Sequence, residues 1–237
     1  MDMNIDFNKT ILKSFKFQDE TIECKVKPEL FVKIEYNGAH QKKTYISEYE
    51  EVITKEELDS NGNVILSESS DFGKETYEYK YDDHKKILYK KITSYANKKN
   101  GGWTSSSEGW RQYSMGNEIH YKSSDDFEYW IEYDSNGHIK SIKHDNGEET
   151  YFETDSNGHI IHQTDSSKIE TWFTNDEKGN VLFEKNSKGY ERRCEYDSTG
   201  KLLYSYEKEK KQESFIENEY DSDGNKISEI WYTVVRE

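Results

Sequence analysis

Side chains of one kind recur at every second position along most of the chain, in runs of six or seven residues closed by short polar turns. In EYWIEY, ETYFET, ETWFTN and ERRCEY one face collects Tyr129, Ile131, Tyr133, Phe152, Phe173, Cys194 and Tyr196, continuing to Ile216 and Tyr220. The other face collects Trp130, Tyr151, Trp172, Arg193 and Phe215, flanked by Glu132, Glu153, Glu195 and Glu219. A period of two marks extended strands, and runs this short are ordinary strands rather than helices.

The runs end on Asp-x-x-Gly, in EYDSNGHI, ETDSNGHI, NDEKGNVL, EYDSTGKL and EYDSDGNKI. Their glycines, Gly137, Gly158, Gly179, Gly200 and Gly224, are spaced by 21, 21, 21 and 24 residues. Gly116 lies one period upstream, Gly62 closes a further copy in ELDSNGNVI, and Lys85 stands in the glycine place of YDDHKKIL. A second turn falls midway, at Gly147, Lys168, Gly189 and Lys210. Asp or Asn before Gly is the chemistry hairpin turns demand. The chain is therefore predicted to be all-β, an antiparallel β-meander of tandem hairpin repeats in one elongated sheet, open or curled.

Residues 51–237 carry the array. Residues 1–50, where only EYNG at Gly38 echoes the turn, read as an N-terminal β cap or decayed repeats. Lys85 and Gly116 are 31 residues apart, about ten more than one period, which predicts an insertion loop at 97–110.

Composition sharpens this. Hydrophobic residues are 32% and charged residues 34%, a balance that favours disorder unless something else supplies buried area. Nineteen Tyr, ten Phe and five Trp supply it. A single proline, Pro28, fits a chain whose amides are mostly committed to strand ladders. The net charge of −15 disfavours direct nucleic-acid or membrane binding and favours a basic protein partner. Cys24 and Cys194 form no disulfide framework or metal pair, and no apolar run is long enough to span a bilayer, so a reducing, cytoplasmic setting is expected.

The run EYDSNGHIKSIKHDNGEETYFETDSNGHI resembles the tyrosine–aspartate (YD) repeats of rearrangement-hotspot (RHS) proteins, Tc toxin shells and teneurins. The resemblance covers residues 116–237 well and 52–96 loosely, and implies β-hairpins strung side by side into a curved sheet. Family members are long chains that close into hollow cocoons. Here the Arg-Leu that often follows the family's glycine is His-Ile, Asn-Val, Lys-Leu or Asn-Lys, and eight or so units are expected to be too few to enclose anything.

Chemistry is sparse. Glu57, Asp59, Asn61, Gly62 and Glu68 have the spacing of a calcium loop, but no helical pattern flanks them, and Lys143 and Thr164 replace the final ligand in other copies. His138 and His159 recur in adjacent units about 10 Å apart, too far to share an ion. Cys194 alternates with Arg192 and Tyr196 and is expected to be a buried structural thiol. No catalytic residue, metal site or cofactor is assigned. The candidate partner-binding residues are Trp103 and Trp110 in the insertion, and Trp130, Tyr151 and Trp172 in the aromatic row.

The function expected is a non-enzymatic acidic protein that blocks a basic, nucleic-acid-handling protein, as an immunity protein or a phage-type inhibitor of a nucleic-acid-guided defence enzyme. The alternatives are a carbohydrate- or surface-binding β-repeat module and a structural remnant of a larger RHS-like system.

Overall fold

A computed structural model describes residues 5–18, 20–47, 51–69, 73–97 and 103–236, and shows strands and turns throughout. The N-terminal strands are β1 (Ile11–Lys16), β2 (Thr21–Asn37), β3 (His40–Ser47), β4 (Glu51–Leu58) and β5 (Val64–Ser69). There follow β6 (Gly73–Tyr81), β7 (Ile87–Asn97), β8 (Trp103–Ser114), β9 (Asn117–Ser123) and β10 (Glu128–Tyr133). Next come β11 (Ile139–His144), β12 (Glu149–Thr154), β13 (Ile160–Asp165), β14 (Glu170–Asn175) and β15 (Val181–Asn186). The last are β16 (Glu191–Tyr196), β17 (Leu202–Glu209), β18 (Gln212–Tyr220) and β19 (Lys226–Val234).

Each strand from β2 to β19 pairs antiparallel with the next, and β19 pairs back onto β2, with Ser228 opposite Lys33 and Val234 opposite Val26. The meander is thus a closed barrel of 18 strands. This corrects the expectation that so few units enclose nothing. At about 4.8 Å per strand the perimeter is roughly 86 Å, and barrels of 16–18 strands leave an open lumen rather than a packed core. Pro28 sits at the bulge in β2 where Trp231 faces Leu30 and Tyr232 faces Pro28, one of the few positions at which a strand accommodates proline. The predicted insertion loop is largely strand: residues 97 and 103–110 lengthen β7 and β8, paired from Asn97 opposite Trp103 to Lys91 opposite Trp110.

The Asp-x-x-Gly turns share one geometry. At Asp134 the Gly137 amide donates to the Asp134 carbonyl at 3.1 Å, and the Asp134 amide donates to the His138 carbonyl at 2.8 Å. The Asp134 carboxylate accepts the amides of Asn136 and His138 at 2.8 and 2.9 Å. Gly137 takes φ +84, and the register slips one residue before the aspartate, between Glu132 and Tyr133. This is a hairpin turn with a glycine bulge. Lys85 reproduces it with φ 62, and Asp82 accepts the His84 and Lys86 amides at 2.8 Å each. Those backbone donors hold the Asp82, Asp134 and Asp197 carboxyls below their usual range.

Closure gives the two strand faces different fates. The face of Tyr79, Tyr129, Tyr190 and Tyr196 is concave: burial, the leading cause, raises each phenol to about 12. Here the tyrosine that precedes the aspartate ties its unit to the previous one. Tyr133 donates to the Glu118 carbonyl at 2.7 Å, Tyr196 to Val181 at 3.2 Å and Tyr220 to Leu202 at 3.0 Å, while Asn175 reaches Ile160 at 2.8 Å. Thr154, at the corresponding place, is too short to span that gap. On the same face Arg111 donates to both carboxylate oxygens of Glu118, at 2.9 and 2.7 Å, and Gly109 leaves room for Tyr121, whose hydroxyl would lie 2.8 Å from a Cβ there.

The main buried cluster lies on the convex face. Phe15, Phe17 and Val26 pack with Tyr206, Phe215 and Tyr232. The first half of β2 pairs with β1, and this hairpin crosses the outside of the wall as a strap.

Two predictions follow from the interior. Tyr196→Phe, which strands a carbonyl, is expected to cost about 1 kcal/mol, whereas Thr154→Tyr, which supplies the missing link to Ile139, is expected to gain up to about 1 kcal/mol; denaturant midpoints measure both. Because the folded pKa values are raised, the interior phenols add stability that is complete below pH about 10 and is lost as pH rises towards 12. Phenolate absorbance is expected to show a late phase coincident with unfolding.

Candidate functional site

Outside the barrel, the even-numbered strands repeat a motif in which an aromatic side chain stands between two glutamates. The trios are Glu128-Trp130-Glu132 on β10 and Glu149-Tyr151-Glu153 on β12. On β14 the trio is Glu170-Trp172-Thr174. Equivalent strands are two apart and the ladder steps two residues per unit, with Tyr151 level with Glu132 and Trp172 level with Glu153, so the rings form an oblique belt with a spacing of about 12 Å. Closure decides that this face looks outward, and the rings stay open to solvent: Trp130 is 42%, Tyr151 53% and Trp172 37% exposed. Trp130 stacks on His120 at 5.4 Å and Trp172 on His162 at 5.5 Å, which fixes their planes.

The acidic rows on the two sides of the belt differ. The first row faces lysine across the strands, with Glu128 opposite Lys122, Glu149 opposite Lys143 and Glu191 opposite Lys185. Hydrogen bonds from His120 and Lys122 hold the Glu128 carboxyl below its ordinary range. The second row has looser partners: Glu132 is opposite Ser141 and 3.7 Å from Lys140 at the bulge, and Glu153 is opposite His162 at 3.3 Å. Their side chains are 64% and 72% exposed.

The belt continues onto β16 and β18 as Arg193 and Phe215, and there the strap covers it. Phe15 stacks on Phe215 at 3.9 Å with the planes 12° apart, and Tyr204 meets Phe15 and Phe17 edge-on at 5.7 and 5.3 Å. Lys13 lies 4.3 Å above the Tyr232 ring and pairs with Glu217, which stands across Tyr204 from Glu195. Glu20, at the strap's tip, pairs with Arg193 at 2.8 Å.

Of the candidate residues, the structure brings Trp130, Tyr151 and Trp172 into one belt. Trp110, on the same face, is partly covered and lies 6.0 Å from the Lys91 ammonium. Trp103 is in β8 opposite Asn97, with its side chain outside the described residues. Sequence reasoning missed the strap residues Lys13, Phe15, Phe17 and Glu20. Their signal was the alternation in KSFKF, which matches the belt's own alternation of aromatic and acid.

The other candidates are structural. The Asp59 carboxylate accepts the Asn61 and Asn63 amides at 2.8 and 2.9 Å and the Tyr81 hydroxyl at 2.5 Å, so it serves a turn. His138 and His159 lie 3.7 and 3.2 Å from Asp134 and Asp155, each packed on the glycine of the next turn, Gly158 or Gly179. Among the described residues, no group of three His, Cys, Asp or Glu could hold a metal ion. Cys194 is buried, its thiol raised by burial, and both cysteines are free thiols.

No family model and no curated protein matches the chain. Among solved structures, TcdB2-TccC3-Cdc42 is similar over 88% of this chain and 13% of its own, at 12% identity and a TM-score of 0.37. A Tc holotoxin pore of Photorhabdus luminescens is similar over 90% of this chain and 17% of its own, at 11% identity and a TM-score of 0.27. A porin-like protein of Bacteroides uniformis is similar over 95% of this chain and 83% of its own, at 11% identity and a TM-score of 0.28. The chain thus spans less than a fifth of the Tc toxin chains it resembles.

A belt that serves binding is expected to be dispensable for folding. Trp130→Ala and Trp172→Ala are expected to cost under about 1 kcal/mol each, whereas Phe15→Ala, at a ring only 2% exposed, costs about 3 kcal/mol. Thermal or urea unfolding of the three variants separates the two kinds of site.

Proposed function

We propose that this protein is a non-enzymatic binding protein, a short relative of the YD-repeat arrays, that docks a basic protein partner on its convex belt and blocks it. The observation that carries the reading is the solvent exposure of Trp130, Tyr151 and Trp172 at one register of three consecutive units, beside the exposed carboxylates Glu132 and Glu153. Large rings held flat on a stiff sheet lose little entropy on binding and are the usual anchors of interfaces. A net charge of −15 speeds encounter with a basic surface and discourages anionic ones. The alternation of glutamate, lysine and aromatic residues outside the barrel favours a partner met in water over lipid, since barrels that face lipid carry an apolar band. Two free thiols accord with a reducing, cytoplasmic setting.

Basic proteins captured from the native lysate at low salt are expected to be lost in the Trp130→Ala/Trp172→Ala double variant and released by raised salt. Capture unaffected by that variant or by salt refutes the reading. The spacing of the rings keeps a second reading in play, in which they stack on the sugar rings of an extended glycan. Binding to a glycan array that depends on Trp172 and ignores salt would favour it instead.

A further inference from the structure

The strap is an occupant of the belt already in place, and it displays the chemistry the belt accepts. Its inward residues alternate as Lys13, Phe15 and Phe17. Phe15 covers the ring of Phe215, which stands across Tyr206 from Arg193, and Lys13 lies over Tyr232 and pairs with Glu217, which stands across Tyr204 from Glu195. The strap's tip lies where Glu20 meets Arg193 of β16, and its Phe17 and Gln18 border a cavity shared with Phe183 of β15 and Thr174 of β14. Beyond it the same face carries Tyr151 and Trp130, each followed two residues on by a carboxylate, Glu153 or Glu132, as Phe215 is followed by Glu217, and Trp172, followed by Thr174.

We propose that the open belt over β10, β12 and β14 receives a β-strand or hairpin of a partner protein that carries lysine or arginine and aromatic residues at alternate positions of one face, laid across the barrel strands as the strap is. The inference rests on the reading of the belt as a protein-docking surface and specifies what docks there. Two features of the open segment favour this occupant. Glu132 and Glu153 each have one cationic neighbour, Lys140 at 3.7 Å and His162 at 3.3 Å, yet stay 64% and 72% exposed, so a cation supplied in trans meets an accessible carboxylate beside a ring, as Lys13 does at Glu217. The belt is also continuous with an interface the molecule already makes, so a second crossing segment beside the strap meets the same sequence of ring and acid.

The test uses the full chain and a synthetic peptide of residues 9–27 of this protein with Cys24→Ser, followed by calorimetry. Binding is expected, weakened at least tenfold by Trp130→Ala/Trp172→Ala and by Glu132→Gln/Glu153→Gln in the protein, and by Lys13→Glu in the peptide. The glutamine variants leave every ring in place, so their loss does not reflect misfolding. Absence of binding overturns the proposal, as does binding indifferent to the belt variants, which would place the peptide elsewhere or in the resident strap's position. If the peptide fails while capture of basic proteins still depends on Trp130 and Trp172, the docking surface stands and the strand chemistry falls. If both fail, the docking reading falls with it.

Discussion

The hydrogen-bonded seam between β2 and β19 is the constraint on which the structure rests. Without it the repeats are a ribbon with two exposed edges and two equivalent faces. With it every barrel strand has two neighbours, and one face becomes interior and the other exterior. The tyrosine links, with their raised phenol pKa values, belong to the inside. The belt of Trp130, Tyr151 and Trp172 belongs to the outside, and its exposure follows from which way the sheet closes.

Neighbouring relations were legible in the sequence because they are local. The period located the strands, the Asp-x-x-Gly and midway turns located the reversals, and alternation sorted Tyr129, Ile131 and Tyr133 from Trp130 on opposite faces. Even Lys85 was found in the place of a glycine, and it adopts the left-handed backbone that place requires. Curvature was not legible. It accumulates from strand twist and from bulges such as the one before each aspartate, and no single unit records the total. Closure further depends on a strand made of residues that scarcely show the repeat, meeting the last strand nearly a chain length away. The insertion misled for a related reason: its Gly and Ser residues read as a loop, yet pairing between β7 and β8 draws residues 103–110 into the ladder.

The candidate site was half legible. The ring positions followed from alternation, but their meaning depends on what lies over them. That Arg193 and Phe215 are covered while Trp130, Tyr151 and Trp172 are open is a property of the strap, formed by the part of the chain with the weakest repeat signal. Its contact with the belt combines stacked rings and a lysine set between ring and carboxylate.

The 17 residues of β2 serve three partners in succession: β1 along Thr21–Val26, β19 along Val26–Lys33 and β3 along Leu30–Asn37. One of those partners, β19, is separated from β2 along the chain by the whole of the meander. One edge of β2 must therefore stay vacant until every strand from β3 to β19 has been made, and the ring cannot shut before then. Such long-range pairing is slow and leaves bare strand edges in the meantime. In the cell, the interval between emergence and closure is the period in which this chain is most open to mispairing with another copy of itself.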